Sequence, residues 1–315
     1  MGFDGSMKFD ECLKYRDKIL MEGALGERLK REYGLKFDEQ VAMAKLIYDK
    51  QGAAALSNLW NEYIQIAKRY QLPFMATTPT RRANQERIKL SGGTEKIISD
   101  NVDFLRNIQK NSGIEMYVGG LMGCKGDAYT GEGALSEEEA FEFHRWEAEC
   151  FGRAQVDFLY AGIMPVLSEA AGMAKAMEST GVPYIISFTI QQDGRLIDGT
   201  TIADAIQYID EVTKVPTVCY MTNCVHPRIV MKALNQPFNK NQIVKSRFMG
   251  IQANTSALSY AELDGAAELA GSEPEEFAEE MMQLRNVGNF RIWGGCCGTD
   301  NRHMECVARS LERYI

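Results

Sequence analysis

Short apolar runs alternate along the chain with longer stretches in which apolar residues recur every three or four positions. The short runs read as buried strands and the longer ones as amphipathic helices. Eight strands are predicted, over residues 18–22, 73–78, 116–122, 156–162, 183–190, 217–223, 248–254 and 290–296. Between them the pattern predicts a short helix over 24–33, two helical pieces over 39–69 broken near Gly52, and one long helix over 84–110. Ser136 followed by Glu137, Glu138 and Glu139 places carboxylates at the positive end of a helix dipole. Thr201 with Asp204 reads as a capping box, and Ser272-Glu273-Pro274 as a helix start. Asp300 or Asn301 should cap the last helix.

Eight strand–helix pairs without a low-complexity linker predict an α/β fold of the (β/α)8 TIM-barrel type, one domain over residues 16–315. A doubly wound open sheet fits the same alternation, but no dinucleotide fingerprint accompanies it. Residues 1–15 read as an N-terminal extension or a cloning remnant. The first six formally fit a myristoylation pattern, and a start at Met7 is the plainer reading. In a barrel, residues leaving the strands share one rim, so Glu22, Thr78, Cys224, Cys296 and Cys297 should converge.

Composition narrows the function. The 315 residues carry a net charge of −8 and no basic tract, which argues against a nucleic-acid partner. No apolar stretch is long enough for a membrane helix, and no signal-peptide pattern opens the chain. Eight cysteines are too few for a disulfide scaffold of this length, so a reducing, cytoplasmic setting with metal-binding or catalytic thiols is expected.

The cysteines carry the chemistry. Gly294-Gly295-Cys296-Cys297-Gly298-Thr299 follows the eighth strand and Thr222-Asn223-Cys224 ends the sixth. Adjacent strand residues face opposite ways, so Cys296 and Cys297 can share an ion only if the chain turns, and Gly294, Gly295 and Gly298 would permit that. Three protein ligands and an open fourth position mark a catalytic zinc site. Zinc with three thiolates carries one net negative charge, and a bound substrate thiol is deprotonated outright. Such an electron-rich centre suits S-alkylation better than hydrolysis. Three unrelated core cysteines, or a Cys296–Cys297 redox pair, are the competing readings. Cys12, Cys150, Cys219 and Cys306 read as core, and Cys124 as lying near the site. The glycine-rich stretch from Gly119 to Gly131 reads as a rim loop. His144 and His226 read as structural, and His303 as support for the last helix or for the metal.

With these residues assembled, the chain resembles the homocysteine S-methyltransferase family over roughly residues 19–311. The resemblance rests on Gly-Gly-Cys-Cys-Gly-Thr at 294–299 with His303 after it, on Asn223-Cys224, and on Leu135-Ser136-Glu137-Glu138-Glu139 with Phe143-His144-Arg145. It implies a (β/α)8 barrel with zinc held by Cys224, Cys296 and Cys297. It also implies an acceptor positioned by Glu22, Gly23 and Thr78, with homocysteine becoming methionine. Glu22 stands where the family has an aspartate, and Gly162 where it places a glutamate for the amino group of homocysteine. Arg82 stands where betaine-dependent members have an aromatic residue, so betaine is not the expected donor. Arg81 and Arg82 would suit a carboxylate or sulfonate, unless they begin a solvated helix face. The alternatives are a different thiol lacking the ammonium group, or a non-catalytic zinc- or thiol-binding paralogue. The partners expected are a small thiol and a methyl donor. No cobalamin module is recognisable, so a corrinoid donor would come on a separate protein.

Overall fold

The computed structural model describes residues 7–257 and 271–313. The chain enters through α1 (Phe9–Tyr15), β1 (Ile19–Met21), α2 (Gly26–Tyr33), a 3-10 segment Met43–Tyr48 and α3 (Lys50–Arg69). There follow β2 (Phe74–Thr77), α4 (Gln85–Leu90), α5 (Lys96–Ser112), β3 (Met116–Gly123), α6 (Glu137–Arg153), β4 (Phe158–Met164) and α7 (Leu167–Glu178). The second half holds β5 (Tyr184–Phe188), α8 (Ile202–Val212), β6 (Cys219–Val225), α9 (Pro227–Leu234), α10 (Gln242–Arg247) and β7 (Phe248–Ala253). It ends with α11 (Pro274–Gln283), β8 (Ile292–Gly295) and α12 (Asn301–Arg313).

All eight predicted strands form, and they close in chain order into a parallel barrel. Closure is made by β1 against β8, with Ile19 opposite Ile292 and Leu20 opposite Trp293. Strands covered on both faces read as continuous apolar runs, which is why they were legible. Ile19 and Met21 point into the barrel with Met75, Tyr160, Ile185 and Met221. Leu20 points outward into the larger shell between strands and helices. Gly119 and Gly120, expected in a rim loop, lie inside β3. A Cβ there would meet the Phe158 ring at 2.4 Å and the Phe151 ring at 2.6 Å, so two aromatic rings take the space.

Two helix expectations are corrected. The break in the 39–69 stretch falls at Asp49, not Gly52; Asp49 ends the 3-10 segment and caps α3 by accepting from the Gly52 N–H at 2.7 Å. The stretch 84–110 is two helices, separated by a turn in which Gly92 takes φ +72°, a left-handed value that no helix continues through. At α6 the capping box forms, with Ser136 and Glu139 exchanging bonds. At α8 Thr201 accepts from the Asp204 N–H at 3.0 Å, and the shorter Asp side chain returns no bond. Asp300, not Asn301, starts the last helix, accepting from Arg302 N at 2.9 Å and His303 N at 3.3 Å.

The stretch expected as an extension holds α1, which covers the N-terminal floor of the barrel. Phe9 stacks on Phe158 at 4.4 Å and meets Tyr117 edge-on at 5.5 Å. Arg291 donates to the Leu13 carbonyl at 2.6 Å and ties the helix down. Residues 1–6, with the myristoylation pattern, lie outside the described residues. No helix among the described residues is long and apolar enough to cross a membrane. Phe9 is only 2% exposed, so Phe9→Ala should destabilise the chain by about 3–5 kcal/mol. A urea midpoint within error of the parent would show that the floor helix contributes nothing.

Candidate metal centre

The three predicted sulfurs meet. The Sγ atoms of Cys224, Cys296 and Cys297 all lie within 4.8 Å of one another on the C-terminal rim. Cys224 and Cys296 are joined as a disulfide pair with Cα atoms 5.5 Å apart, and Cys297 is free and exposed. The vicinal redox pair considered from sequence is therefore not the pair in contact. Tetrahedral zinc with Zn–S near 2.3 Å spaces its sulfurs by about 3.8 Å, so once the Cys224–Cys296 pair is reduced the three sulfurs are near enough to share one such ion. An all-sulfur set is also the soft kind that zinc accepts.

Local backbone makes the meeting possible. Met221 and Asn223 point into the barrel, so strict alternation would turn Cys224 toward the helices. Cys224 instead takes φ 58°, where the pairing of β6 with β7 shifts between Asn223 and Val225. A left-handed non-glycine residue costs about 1–3 kcal/mol and persists only where its surroundings hold it. Asn254 holds it here, donating to the Cys224 carbonyl at 3.2 Å. Asn223 accepts from Ile163 N at 2.8 Å and Ser187 Oγ at 2.7 Å, binding β6 to β4 and β5.

On the other side, Thr299 N and Oγ1 both donate to the Cys296 carbonyl, at 3.1 and 2.7 Å, closing a turn over Cys297 and Gly298. Gly298 takes φ +81°, and a Cβ on it would lie 2.0 Å from Thr255 Oγ1. The freedom expected of all three glycines is thus needed only at Gly298; Gly294 and Gly295 continue β8. Gly298 N donates to Glu27 at 2.6 Å. Although Cys297 is exposed as a residue, the protein around its sulfur desolvates it and Glu27 adds negative charge, so the Cys297 thiol is held above the ordinary range. An ion would have to supply the charge that makes it a thiolate.

Glu22 and Thr78 lie at the exits of β1 and β2, but their polar atoms are engaged within the protein. Glu22 accepts from Thr77 N at 2.9 Å, from Thr77 Oγ1 at 2.6 Å and from the Trp60 indole. Thr78 Oγ1 bonds to Thr80 Oγ1 at 2.7 Å and accepts from Leu121 N at 3.2 Å. Gly23 lies under Tyr63, whose hydroxyl would be 2.7 Å from a Cβ there. Gly162 faces Leu121, which a Cβ would meet at 2.8 Å. Arg81 and Arg82 sit in the turn before α4 rather than on a helix face.

The three histidines hold other parts of the fold. His144 bonds to Glu169 at 3.0 Å, and His226 to Ser272 at 3.2 Å. Burial pushes His226 down to about 4, with Arg228 adding to the effect. His303 joins Asp300 at 2.8 Å to the Ser272 carbonyl at 3.1 Å. Burial would raise the Asp300 carboxyl, but bonds from His303 and Arg302 hold it well below its usual range. Sequence reasoning missed Trp60, Tyr63, Asn254 and Thr255, whose roles have no local signal because their partners are remote in the chain.

A parallel barrel with three converging sulfurs on its catalytic rim defines a barrel enzyme built for thiol chemistry. The chain belongs to the homocysteine S-methyltransferase family, whose model matches residues 19–311, and it is a methyltransferase. It is 24% identical over 319 residues to homocysteine S-methyltransferase YbgG of Bacillus subtilis, an alignment covering 93% of this chain and 95% of that protein. The homocysteine methyltransferase MmuM of Escherichia coli shares the fold at 20% identity. Its metallated form superposes with a TM-score of 0.74 over 94% of this chain and 97% of the other. Its oxidized form gives the same TM-score, 0.74.

Burial pushes the Glu22 carboxyl up to about 7 from an ordinary 4.5, against the bonds from Thr77 and Trp60 that pull it down. A raised folded-state value means that the folded chain holds the proton more tightly, so stability is greatest below 4.5 and falls as pH rises to about 7. The loss should reach about 3 kcal/mol. Urea midpoints across this window should fall more steeply for the parent than for Glu22→Gln; parallel curves would refute the assignment.

Proposed function

We propose that the chain moves a methyl group to a thiol held at Cys224, Cys296 and Cys297 with zinc as the metal. Family membership makes homocysteine the first acceptor and methionine the product. The convergence of three sulfurs from two strand exits on the rim carries this reading. Zinc bound there would supply the charge that strips the proton from the acceptor thiol and leaves its sulfur nucleophilic.

The chain's own residues shape the place where this happens. Gly295 N donates to the Glu22 carbonyl at 3.0 Å, and Ala24 N donates to Thr299 Oγ1 at 3.0 Å. The β1 exit is thereby tied to the turn carrying Cys296 and Cys297. Glu22, Gly23 and Thr78 position the acceptor by fixing the β1 and β2 exits beside the sulfurs. The acceptor sulfur bonds to the methyl carbon as the bond from that carbon to the donor breaks, and the donor departs with the electron pair. The donor is a small methyl compound or a separate corrinoid protein, and the setting is the reducing cytoplasm. A reducing setting keeps Cys224 and Cys296 open as ligands.

Protein purified under reducing conditions should carry about one zinc per chain. Cys296→Ala should lose the metal, and methyl transfer to homocysteine should fall more than ~100-fold, beyond what loss of an outer-shell partner costs. Zinc-edge absorption should count three sulfur neighbours, rising to four on adding homocysteine. A count that does not change, or a Cys296→Ala variant that keeps zinc and activity, would overturn the reading.

A further inference from the structure

Where the chain leaves β2 and β3, a cavity of about 220 Å³ is lined by Arg81, Arg82, Arg87 and Lys125 and by a single carboxylate, Asp127. That carboxylate is engaged in its own loop, accepting from Tyr129 N and Thr130 N at 2.8 Å each. Lys125 pairs with Glu86 at 3.4 Å, and Arg87 donates to the Gln40 carbonyl at 3.4 Å. Among the described residues, no carboxylate lies within ion-pair distance of Arg81, Arg82 or Arg87. Several other arginines have such partners: Arg28 meets Glu32 and Glu62, Arg106 meets Asp157, and Arg247 meets Asp210. The chain carries 43 acidic residues against 35 basic ones, so carboxylates are not scarce. Three guanidinium groups without one, on a shared wall, are a standing repulsion that an anion from outside would relieve.

The wall is built before any ligand arrives. Thr80 Oγ1 donates to the Leu121 carbonyl at 2.8 Å, tying the turn after β2 to β3. Arg81 crosses the end of β3 at Gly123, where a Cβ would lie 2.6 Å from its carbonyl oxygen and 2.7 Å from its Cγ. Asn84 caps α4 by accepting from Arg87 N at 3.0 Å. Buried Glu169 on α7 accepts from Lys125 N at 2.7 Å and Leu135 N at 3.3 Å, pinning both ends of the loop that carries Lys125. Binding therefore demands little new order from the backbone. Partial desolvation lowers the Arg82 pKa, and the nearby Arg87 and Arg81 charges lower it further.

Size and charge narrow the ligand. The cavity is smaller than the ~300 Å³ at which pockets for drug-sized ligands begin, so it takes a small ion or the end of a larger molecule. Four cations against one carboxylate favour a dianion over a monoanion. Guanidinium forks match phosphate oxygens bidentately. We propose that this cavity is a site for a tetrahedral oxyanion, the phosphate group, either free or at the end of a phosphorylated molecule. The site uses none of the sulfurs and does not depend on the methyl-transfer reading.

Calorimetric titration of the full chain at fixed ionic strength, with inorganic phosphate, methyl phosphate and acetate as probes, tests it. Phosphate should bind at least about 10-fold more tightly than acetate. Arg81→Gln and Arg82→Gln should each weaken phosphate binding about 10–100-fold, the worth of one charge-assisted bond. Arg82 is solvent-exposed, so its variant keeps the test open should Arg81→Gln fail to fold. Lys89→Gln, which removes an exposed charge on α4 outside the cavity, should leave the affinity unchanged. Cys296→Ala should also leave it unchanged, which tells this site from an anion held at the metal centre. Methyl phosphate matching inorganic phosphate would identify the end of a phosphorylated molecule as the ligand, and binding ~10-fold more weakly would identify the free ion. Absence of saturable phosphate binding, affinity retained in Arg82→Gln, or equal losses in Arg82→Gln and Lys89→Gln would overturn the proposal. Affinity lost in Cys296→Ala, or acetate bound as tightly as phosphate, would overturn it too.

Discussion

Closure of the barrel between β1 and β8 is the constraint on which the site depends. It sets Glu22 beside Gly295, and from that junction short bonds pass around the rim. Cys296 N donates to the Ala253 carbonyl at 2.6 Å, and Thr255 N donates to the Cys297 carbonyl at 3.1 Å. Asn254 then reaches the Cys224 carbonyl. The sulfurs are thus held by bonds among the exits of β1, β6, β7 and β8 as well as by the turn that Thr299 closes. A sulfur cluster built this way is as rigid as the sheet that carries it, which would suit a metal centre that must keep a position for a substrate.

That rigidity is offset by strain and by buried polarity. Cys224 sits in a left-handed conformation that its side chain disfavours, and Glu22 is a carboxylate in an apolar setting. Both are tolerated because each has partners from several elements. Glu22 joins β1, β2 and α3 through Thr77 and Trp60, and Tyr63 from the same helix donates to the Ala24 carbonyl at 2.8 Å. Conflicts between local preference and global structure concentrate at functional sites, and here they lie at the strand exits.

The electrostatics of the mouth have two poles. Three thiolates around a divalent cation would form a centre with net negative charge, whereas Arg81, Arg82, Arg87 and Lys125 gather positive charge where the chain leaves β2 and β3. The same field disfavours a positively charged group in that cavity.

Much of this was legible from the chain alone. Strands such as Tyr184–Phe188, buried on both faces, announce themselves as largely apolar runs (here only Ser187 interrupts), and eight of them alternating with helices imply the barrel. Cys224, Cys296 and Cys297 stood out because glycines beside a cysteine pair signal a backbone that must turn. The sequence left open which thiols touch, that Gly298 alone among those glycines needs a positive φ, and that Gly92 splits the predicted long helix. Only the tertiary structure turned the Glu22 carboxylate toward Trp60 and Thr77, and only it brought Arg87 and Lys125 to the cavity of Arg81 and Arg82. The reason is range. Periodicity and turn chemistry are written within a few residues, whereas a site assembled from strand exits exists only after the barrel has closed.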